Sequence, residues 1–352
     1  MLVLFLSVAL TRLAGEERGQ VEFRAGPSEA AVPEAFRLAS ATFDYQMSRR
    51  LETPGYSVWS VRFASPIVTP DVENNTIHAE YFRPHRTEKK PAVVVLHILG
   101  ADFALSRYLA VRLADRGVAA LFVKLPYYGE RRPASGEQRF LSGDIERTIR
   151  SMRQGVCDVR RAAVWLAARP EIDAAKLGVT GISLGGIVSA LSAAVDPTLN
   201  RAVFLLAGGD LARVLWEMPE GAKYKALWIQ SGRTFADLKA LSDPFDPLTY
   251  AHRLVGKRVL MMAGRTDDVI PPASARGLWE AAGRPAITWM DCGHYSAAGF
   301  LLPAVRRTVE FFAADLTPTG GPPGSPAVEG FRKPLREKAV RGIFRRVDHT
   351  DG

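Results

Sequence analysis

Apolar and polar residues alternate along most of residues 56–63 and 76–82. This alternation is typical of strands with one buried face. Further along, the pattern changes to short runs that are apolar throughout, as in strands covered on both faces. These runs are residues 92–96, 119–123, 177–180, 202–206, 259–263 and 287–290. The pattern therefore predicts two antiparallel strands that lead into a buried sheet.

Helical patterns separate most of the apolar runs. The clearest covers residues 145–169, where apolar residues recur at alternating steps of four and three until Pro170 ends the pattern. Its apolar positions are Ile145, Ile149, Met152, Val156, Val159, Ala163 and Leu166. Shorter helices are predicted at residues 108–116, 186–195, 273–282 and 302–314. Because strands alternate with helices, we expect an α/β fold with right-handed crossovers, a mainly parallel central sheet and helices on both faces.

The chain divides into four segments along its length. Residues 1–15 form an apolar leader and a candidate signal peptide, although no Lys or Arg precedes the apolar run. Residues 16–54 are polar and mixed, and we expect an N-terminal extension over the outside of the fold. The main α/β domain is expected at residues 55–316. A breaker-rich linker and basic tail follow at 317–352, either disordered or with one short docked helix. The leader leaves export and a cytoplasmic location both open.

A long connection separates the apolar runs that end at residue 206 and begin at residue 259. It has about fifty residues, which is too long for a plain loop. Its large apolar residues are Trp216, Met218, Tyr224, Trp228 and Phe235. We therefore expect residues 208–256 to form an inserted cap over the active site, with Trp216 among the residues that contact substrate.

The composition says more about the partners of the protein than about its fold. Apolar residues make up 47% and charged residues 24% of the 352 residues, which is ordinary for a globular domain. The net charge of +9 is spread along the chain without interleaved stacking aromatics, so nucleic-acid binding is not expected. Cys157 and Cys292 belong to no CxxC or Cys/His cluster, and neither a metal nor another cofactor is expected. No run after the leader is long enough to cross a bilayer.

The first sign of chemistry is the motif Gly181-Ile-Ser-Leu-Gly-Gly186. It directly follows an apolar strand and opens a predicted helix, a setting in which a strained turn holds a serine hydroxyl above the sheet. A Cβ at Gly181 or Gly185 would clash in so tight a turn. The helix N-terminus would also direct free amides and its positive dipole end at the reaction centre. Ser183 is therefore the predicted nucleophile, and the alternative is an ordinary serine in a loop.

A serine nucleophile needs a base, and the base needs an orienting carboxylate. A parallel sheet gathers such groups at the carboxyl ends of its strands. Asp267 and Asp268 follow one late apolar run, and His294 is the one histidine of six that follows the last run on such a turn. Asp267 is favoured over Asp268, and Asp210 is a weaker alternative acid. The structural alternative for all of them is turn or cap formation.

At these residues the chain resembles the α/β-hydrolase superfamily. It is most similar to the dienelactone-hydrolase-like and prolyl-oligopeptidase-like serine esterases. In these enzymes the elbow, which is the turn that carries the nucleophilic serine, reads GxSxGG, as residues 181–186 do here. The resemblance covers about residues 56–315. It implies that Asp267 is the triad acid, because Gly264, Asp267 and Pro271 match the spacing of the family. It likewise implies that His294, which follows a glycine after the last strand, is the base.

The resemblance also implies an oxyanion hole built from two backbone N–H groups. One is the amide of Leu184, directly after the nucleophile, and the other lies in the loop after the first core strand. Many family members read His-Gly there, whereas this chain reads His97-Ile-Leu-Gly100. The second donor is therefore expected to be the amide of Ile98 or Leu99. The side chains of these residues are larger than glycine and are expected to narrow the part of the pocket that holds the acyl group of the substrate.

A second loop, residues 125–133, follows the next core strand and faces the same edge of the sheet. Its Tyr127 and Tyr128 are candidates for the wall of the pocket. Arg131 is a candidate partner for an anionic group of the substrate. The alternative is that the rings pack against the protein and that Arg131 forms an internal salt bridge.

Three classes of function are compatible with these residues. A carboxyl-ester hydrolase that acts on a small-molecule ester through an acyl-enzyme is favoured by the setting of the motifs. A serine peptidase or an acyltransferase would use the same triad. A non-catalytic binding protein of this fold usually lacks a triad residue, and none is missing here. A halide or epoxide hydrolase is disfavoured because its nucleophile is an aspartate.

Overall fold

A computed structural model describes residues 15–316, apart from residues 101–102, 137–138, 219–220 and 315. Residues 1–14 of the candidate leader and the tail 317–352 lie outside this part of the chain. Within it, ten strands form one sheet in the order β1-β2-β3-β4-β6-β5-β7-β8-β9-β10. The strands are β1 Glu16–Phe23, β2 Ala41–Glu52, β3 Tyr56–Ala64, β4 Thr76–Pro84, β5 Lys90–Leu96, β6 Ala119–Val123, β7 Ile172–Ile182, β8 Leu199–Leu205, β9 Arg258–Gly264 and β10 Ala286–Met290.

The direction of the strands changes at β6. The pairs from β1 to β4, and the pair of β4 with β6, are antiparallel. The pairs from β6 across β5 and β7 to β10 are parallel, which confirms the mainly parallel sheet. The strand order reverses between β5 and β7, because β6 lies on one side of β5 and β7 on the other. Such a switch point opens a crevice at the carboxyl ends of the strands.

Helices cover both faces of the sheet. In the described residues they are α1 Pro27–Ala30, α2 Ala104–Asp115, α3 Ile145–Ala167, α4 Leu184–Val195, α5 Leu211–Glu217, α6 Ala222–Gln230, α7 Phe235–Ser242, α8 Pro247–Tyr250, α9 Pro272–Ala281 and α10 Leu301–Ala313. The long helix begins where the pattern predicts, since the carboxylate of Asp144 accepts a hydrogen bond from the Arg147 amide and caps its first turn. No helix in this part of the chain is long and apolar enough to cross a bilayer.

The core has two halves, one on each face of the sheet. Ala92 and Val94 of β5 pack with residues of α3 and α4. Val93 and Val95 of the same strand pack with residues of α2 and α10. Because successive side chains of a strand point to opposite faces, a strand buried on both faces needs a continuous apolar run.

Residues 16–23 and 41–52 form strands of the sheet, so the expectation that residues 16–54 lie over the outside of the fold is wrong. β1 pairs with β2, and β2 pairs with β3. Phe43, Tyr45 and Met47 of β2 are buried, while the polar residues between them are at least partly exposed. One face of these strands contacts solvent, and its polar residues make the segment look mixed in the sequence.

The connection between β8 and β9 folds into helices. Its described part contains α5 to α8, and Ala212, Trp228 and Leu238 form a small apolar cluster there. The indole N–H of Trp228 donates to the carbonyl oxygen of Thr234 over 2.8 Å. The insertion therefore has packing of its own, and its role as a cap stays a prediction.

Candidate active site

Ser183 lies in the sharp turn between β7 and α4. Its backbone has φ 55° and ψ −119°, a conformation that is strained for a residue with a side chain. A Cβ on Gly181 would clash with the carbonyl oxygen of Gly185, and a Cβ on Gly185 would lie 2.5 Å from that of His97. The turn therefore requires both glycines, as predicted, and presents the serine at the carboxyl end of β7.

Ser183, His294 and Asp267 form one hydrogen-bonded chain. The hydroxyl oxygen of Ser183 lies 2.9 Å from Nε2 of His294. Nδ1 of His294 lies 2.8 Å from Oδ2 of Asp267 and 3.1 Å from Oδ1. The imidazole and the carboxylate are both buried, so water competes little for these bonds. The structure brings together the three residues predicted as nucleophile, base and acid, in an arrangement that can pass a proton from the hydroxyl to the imidazole.

The carboxylate of Asp267 is fixed by the turn in which it lies. Oδ1 accepts hydrogen bonds from the backbone N–H groups of Val269, over 3.0 Å, and Ile270, over 2.7 Å. Asp268 beside it is exposed. Asp210 lies at the start of α5, where its Oδ2 is 3.2 Å from Nε of Arg213. Of the three acids considered, Asp267 is the one in contact with His294.

Two backbone segments border the nucleophile. Leu184 is the first residue of α4, so its N–H belongs to a first turn that has no intrahelical acceptors. The loop after β5 contacts the same turn, since the carbonyl oxygen of His97 lies close to Gly185. Ile98 and Leu99 follow in that loop, and Leu99 is 39% exposed. The residues predicted for the oxyanion hole thus lie beside the elbow, and their role there stays a prediction.

His97 is a buried residue for which the sequence predicts no role. It is fully buried at the end of β5, and both ring nitrogens have backbone partners. Nδ1 lies 2.7 Å from the carbonyl oxygen of Ile98, and Nε2 lies 3.1 Å from the backbone nitrogen of Leu125. Burial lowers the pKa of His97 to about 4, so the ring is neutral near pH 7. The sequence does contain a sign of this arrangement, because His97 directly follows a wholly apolar strand. A polar side chain buried at such a position needs hydrogen-bond partners, since burial without them is costly.

The two tyrosines of the 125–133 loop have different surroundings. The ring of Tyr128 lies 4.4 Å from the ring of His97, centroid to centroid, and its hydroxyl is 3.5 Å from the backbone nitrogen of Gly100. Burial raises the pKa of Tyr128 to about 12. The hydroxyl of Tyr127 instead lies 3.1 Å from Oδ2 of Asp71. Tyr128 is thus the one of the two that contacts the loop beside Ser183.

Arg131 is not available to a substrate: of the two interpretations that the sequence leaves open, the structure shows the internal salt bridge and not a free partner for an anionic group. Its side chain is fully buried, and Nη2 lies 2.7 Å from Oδ2 of Asp158. The guanidinium also donates to the carbonyl oxygens of Lys124 and Asn74. A cation removed from water is tolerated only when it is paired and hydrogen-bonded. This arginine therefore ties the loop to α3.

Trp216 of the insertion is half-buried. Its ring lies 5.3 Å from that of Phe235, and Nζ of Lys225 lies 4.5 Å from its centroid. These contacts are all with residues of the insertion. That Trp216 also contacts substrate stays a prediction.

The fold and this arrangement of residues define an α/β-hydrolase. Residues 28–213 match the family described as Alpha/beta hydrolase domain containing 18, which is more than half of the chain. Residues 150–292 match the prolyl oligopeptidase family. The chain belongs to the Alpha/beta hydrolase domain containing 18 family, within the α/β-hydrolase superfamily that its sequence resembles.

Relatives in sequence come from Mycobacterium tuberculosis. The uncharacterized protein Rv2627c is 26% identical over 243 residues, which are 67% of this chain and 56% of that protein. A second uncharacterized protein, MT2364, is 26% identical over 250 residues, 69% of this chain and 78% of its own length. The match thus spans little more than half of the first relative.

Solved structures share the fold at low identity. The acetyl xylan esterase from Paenibacillus sp. R4 is 21% identical with a TM-score of 0.61, over 76% of this chain and 88% of its own. Acetyl xylan esterase 1 from Thermoanaerobacterium sp. JW/SL YS485 is 19% identical with a TM-score of 0.61, over 82% and 92%. A puromycin-hydrolyzing peptidase of Mycobacterium tuberculosis is 17% identical with a TM-score of 0.54, over 77% and 46%. These likenesses confirm the α/β-hydrolase fold, which both esterases and peptidases use.

Proposed function

We propose that the chain is a serine carboxylesterase that cleaves a small-molecule ester through an acyl-enzyme on Ser183. The observation that carries the proposal is the continuous chain of hydrogen bonds from Ser183 through His294 to Asp267. The three residues follow β7, β10 and β9, at the carboxyl edge where open α/β sheets bind ligands. A structural serine has no need of a buried imidazole and carboxylate in line behind it.

The reaction proceeds in two halves that use the same groups. The hydroxyl oxygen of Ser183 bonds to the ester carbonyl carbon while Nε2 of His294 takes the hydroxyl proton. The negative charge that forms on the carbonyl oxygen is stabilised by the Leu184 amide and by an amide of the loop after β5. His294 then protonates the leaving alcohol as the ester bond breaks. A water molecule repeats the sequence on the acyl-enzyme, which releases the acid and restores the hydroxyl.

We expect the acyl pocket to be short. Ile98 and Leu99 occupy the loop in which many α/β-hydrolases have a glycine, and Tyr128 packs on the same loop. Large side chains at these positions leave less room beside the carbonyl carbon of the substrate. Each methylene that finds no apolar contact forfeits about 0.8 kcal/mol of burial. Acetyl and butyryl esters should therefore react with a higher kcat/KM than octanoyl or longer esters.

A graded series of p-nitrophenyl esters tests both parts of the proposal. The expected result is a kcat/KM that is highest for acetyl or butyryl and turnover that disappears in Ser183→Ala. A rate that climbs steadily to octanoyl and beyond would contradict the short pocket and favour a lipase-like enzyme. Unchanged turnover in Ser183→Ala would contradict the assignment of the nucleophile.

A serine peptidase is the second candidate, and the match of residues 150–292 to the prolyl oligopeptidase family supports it. Aminoacyl p-nitroanilides measured beside esters with the same acyl group separate the two. A peptidase cleaves the anilide as well as the more reactive ester, whereas an esterase leaves the anilide intact. A non-catalytic binding protein cleaves neither.

A further inference from the structure

The two hydrogen bonds of His97 define which of its nitrogens carries a proton. A backbone N–H can only donate, and a carbonyl oxygen can only accept. Nε2, which faces the N–H of Leu125, is therefore the acceptor and is unprotonated. Nδ1, which faces the carbonyl oxygen of Ile98, is the donor. In a charged ring Nε2 would also carry a proton, and two N–H donors would then face each other at Leu125. The neutral ring with its proton on Nδ1 is therefore the form that fits.

This hydrogen bond also fixes the peptide group between Ile98 and Leu99. In a planar trans peptide the carbonyl and the following N–H point in opposite directions, and the described residues contain no cis peptide bond. The carbonyl of Ile98 is held towards the buried imidazole. The N–H of Leu99 therefore points away from His97, on a loop that borders Ser183 and has a partly exposed Leu99.

We propose that His97 is a positioning residue that turns the Leu99 N–H towards the substrate carbonyl oxygen and so makes Leu99 the second oxyanion donor. The inference rests on the proposed hydrolase function. It decides between Ile98 and Leu99, which the sequence leaves open. Preorganised donors of this kind are effective because they need not reorient as charge develops on the oxygen.

Aromatic packing holds the imidazole in place. Its ring centroid lies 4.4 Å from that of Tyr128, 5.0 Å from that of Phe103 and 6.2 Å from that of Phe122. The hydroxyl of Tyr128 lies 3.5 Å from the Gly100 nitrogen at the other end of the loop. The loop is thus attached at both ends to the segment after β6. Locked rotamers and supporting hydrogen bonds are what a precise site requires.

Two variants of His97 separate the two hydrogen bonds. The side-chain amide of His97→Asn can occupy the position of Nδ1 and donate to Ile98. The amide of His97→Gln reaches the position of Nε2 and can accept from Leu125. Each variant keeps one bond and loses the other, so their melting temperatures should fall by similar amounts. We expect His97→Gln to lower kcat on an acetyl ester by about 10²-fold with KM within about threefold, and His97→Asn to stay within about tenfold of the wild type.

Equal kcat values for the two variants, or a loss that appears in KM, would overturn the role of His97. A measurement on the wild type does not depend on how the variants fold. The ¹⁵N spectrum of labelled imidazoles should show the proton of His97 on Nδ1 from about pH 6 to 8, and a proton on Nε2 would overturn the inference. Wild-type turnover that did not depend on Ser183 would overturn the proposed function and this role with it. Turnover that depends on Ser183, with equal variants, would overturn the role of His97 alone.

Discussion

At the scale of single residues, Asp267 shows how the site is held. Both carboxylate oxygens lie within 3.1 Å of Nδ1 of His294, and Oδ1 also accepts hydrogen bonds from the backbone N–H groups of Val269 and Ile270. The backbone therefore fixes the carboxylate in the orientation that the imidazole needs. In the proposed mechanism this keeps the proton on Nδ1 and leaves Nε2 free to accept the proton of Ser183.

Replacing this acid tests its role. Asp267→Asn should lower kcat by about 10³–10⁴-fold, because an amide does not hold His294 in the required tautomer. Asp268→Asn and Asp210→Asn serve as controls and should stay within about threefold of the wild type, since Asp268 is exposed and Asp210 pairs with Arg213. A larger loss at Asp210 would move the acid to the turn after β8.

That Ser183, Asp267 and His294 lie together could be predicted from the sequence because each follows an apolar strand on a turn. The contacts of His97 and Arg131 could not be predicted, because their partners come from other loops and from α3. Arg131 in particular has the same residue type and loop position as a substrate-binding arginine. Its burial against Asp158 is decided by tertiary packing that no local pattern encodes.

At the scale of elements, the elbow and the loop after β5 approach each other closely at Gly185. A substitution at this glycine therefore tests how the two segments are arranged. Gly185→Ala should lower the free energy of unfolding by about 1–3 kcal/mol, because its Cβ would press on the carbonyl oxygen of His97. It should also lower kcat by about 10²-fold, because a small displacement of catalytic groups is costly. Urea unfolding and ester kinetics measure both.

Gly277→Ala provides the matched control for this prediction. Gly277 lies in α9, and among the described residues no atom outside its chain neighbours and the backbone of its own helix lies within 4 Å of the position of its added Cβ. Alanine there should stabilise the protein by about 0.5–1 kcal/mol. Wild-type kcat in Gly185→Ala would mean that the elbow and the loop do not approach each other as closely as described.

The insertion gives a second prediction at this scale. Trp216→Ala should change KM and the preference for acyl length more than it changes the melting temperature, since a cap contributes side chains to substrate binding. Trp228→Ala should instead lower the melting temperature more than it changes KM or the preference for acyl length. The reason is that Trp228 is buried and its indole N–H donates a hydrogen bond to Thr234. Equal melting temperatures for the two variants with unchanged preference would place Trp216 in the core of the insertion alone.

The predicted elements are those with a strong period. The eight strands from β3 to β10, and α2, α3, α4, α9 and α10, follow from apolar runs and helical spacing. β1 and β2 do not, because the polar residues on their solvent face mask the alternation on the other. The helices of the insertion are also missed, since elements of four to nine residues carry too few turns for a clear period.

At the scale of the whole molecule, a buried guanidinium joins three distant parts of the chain. Arg160 of α3 lies 2.8 Å from Glu29 of the N-terminal segment and 2.9 Å from Asp196 after α4. It also donates to the carbonyl oxygen of Phe36. The N-terminal segment is thereby fastened to the helix that begins at the nucleophile.

Glu29→Gln should lower the free energy of unfolding by about 3 kcal/mol at neutral pH, because a buried cation then loses a charged partner. Glu22→Gln is the matched control, since its partner Arg24 is exposed and the pair is solvated, and it should leave stability nearly unchanged. Chemical denaturation of the three proteins measures the difference. Equal effects of the two substitutions would contradict the role of the buried pair.

The effect of Glu29→Gln on the free energy of unfolding should depend on pH. Burial raises the pKa of Glu29, but hydrogen bonds from Arg160 and the Leu38 amide outweigh it, and the pKa lies below the ordinary value of 4.5. A carboxyl whose folded pKa is lowered stabilises the fold above its unfolded pKa and loses that effect as the pH falls. The difference between the wild type and Glu29→Gln should be largest near neutral pH and shrink below 4.5. A difference that stays constant there would contradict the account.

The central claim is that this chain is a serine hydrolase whose acyl group is carried by Ser183. A fluorophosphonate probe followed by mass spectrometry of the whole protein and of its peptides tests that claim most directly. The predicted result is one probe per wild-type molecule, on the peptide that contains Ser183, with no label on Ser183→Ala. Labelling of His294→Ala should be at least about 10³-fold slower, because nucleophile and base act as a unit. Equal labelling of the wild type and Ser183→Ala, or label on another residue, would contradict it.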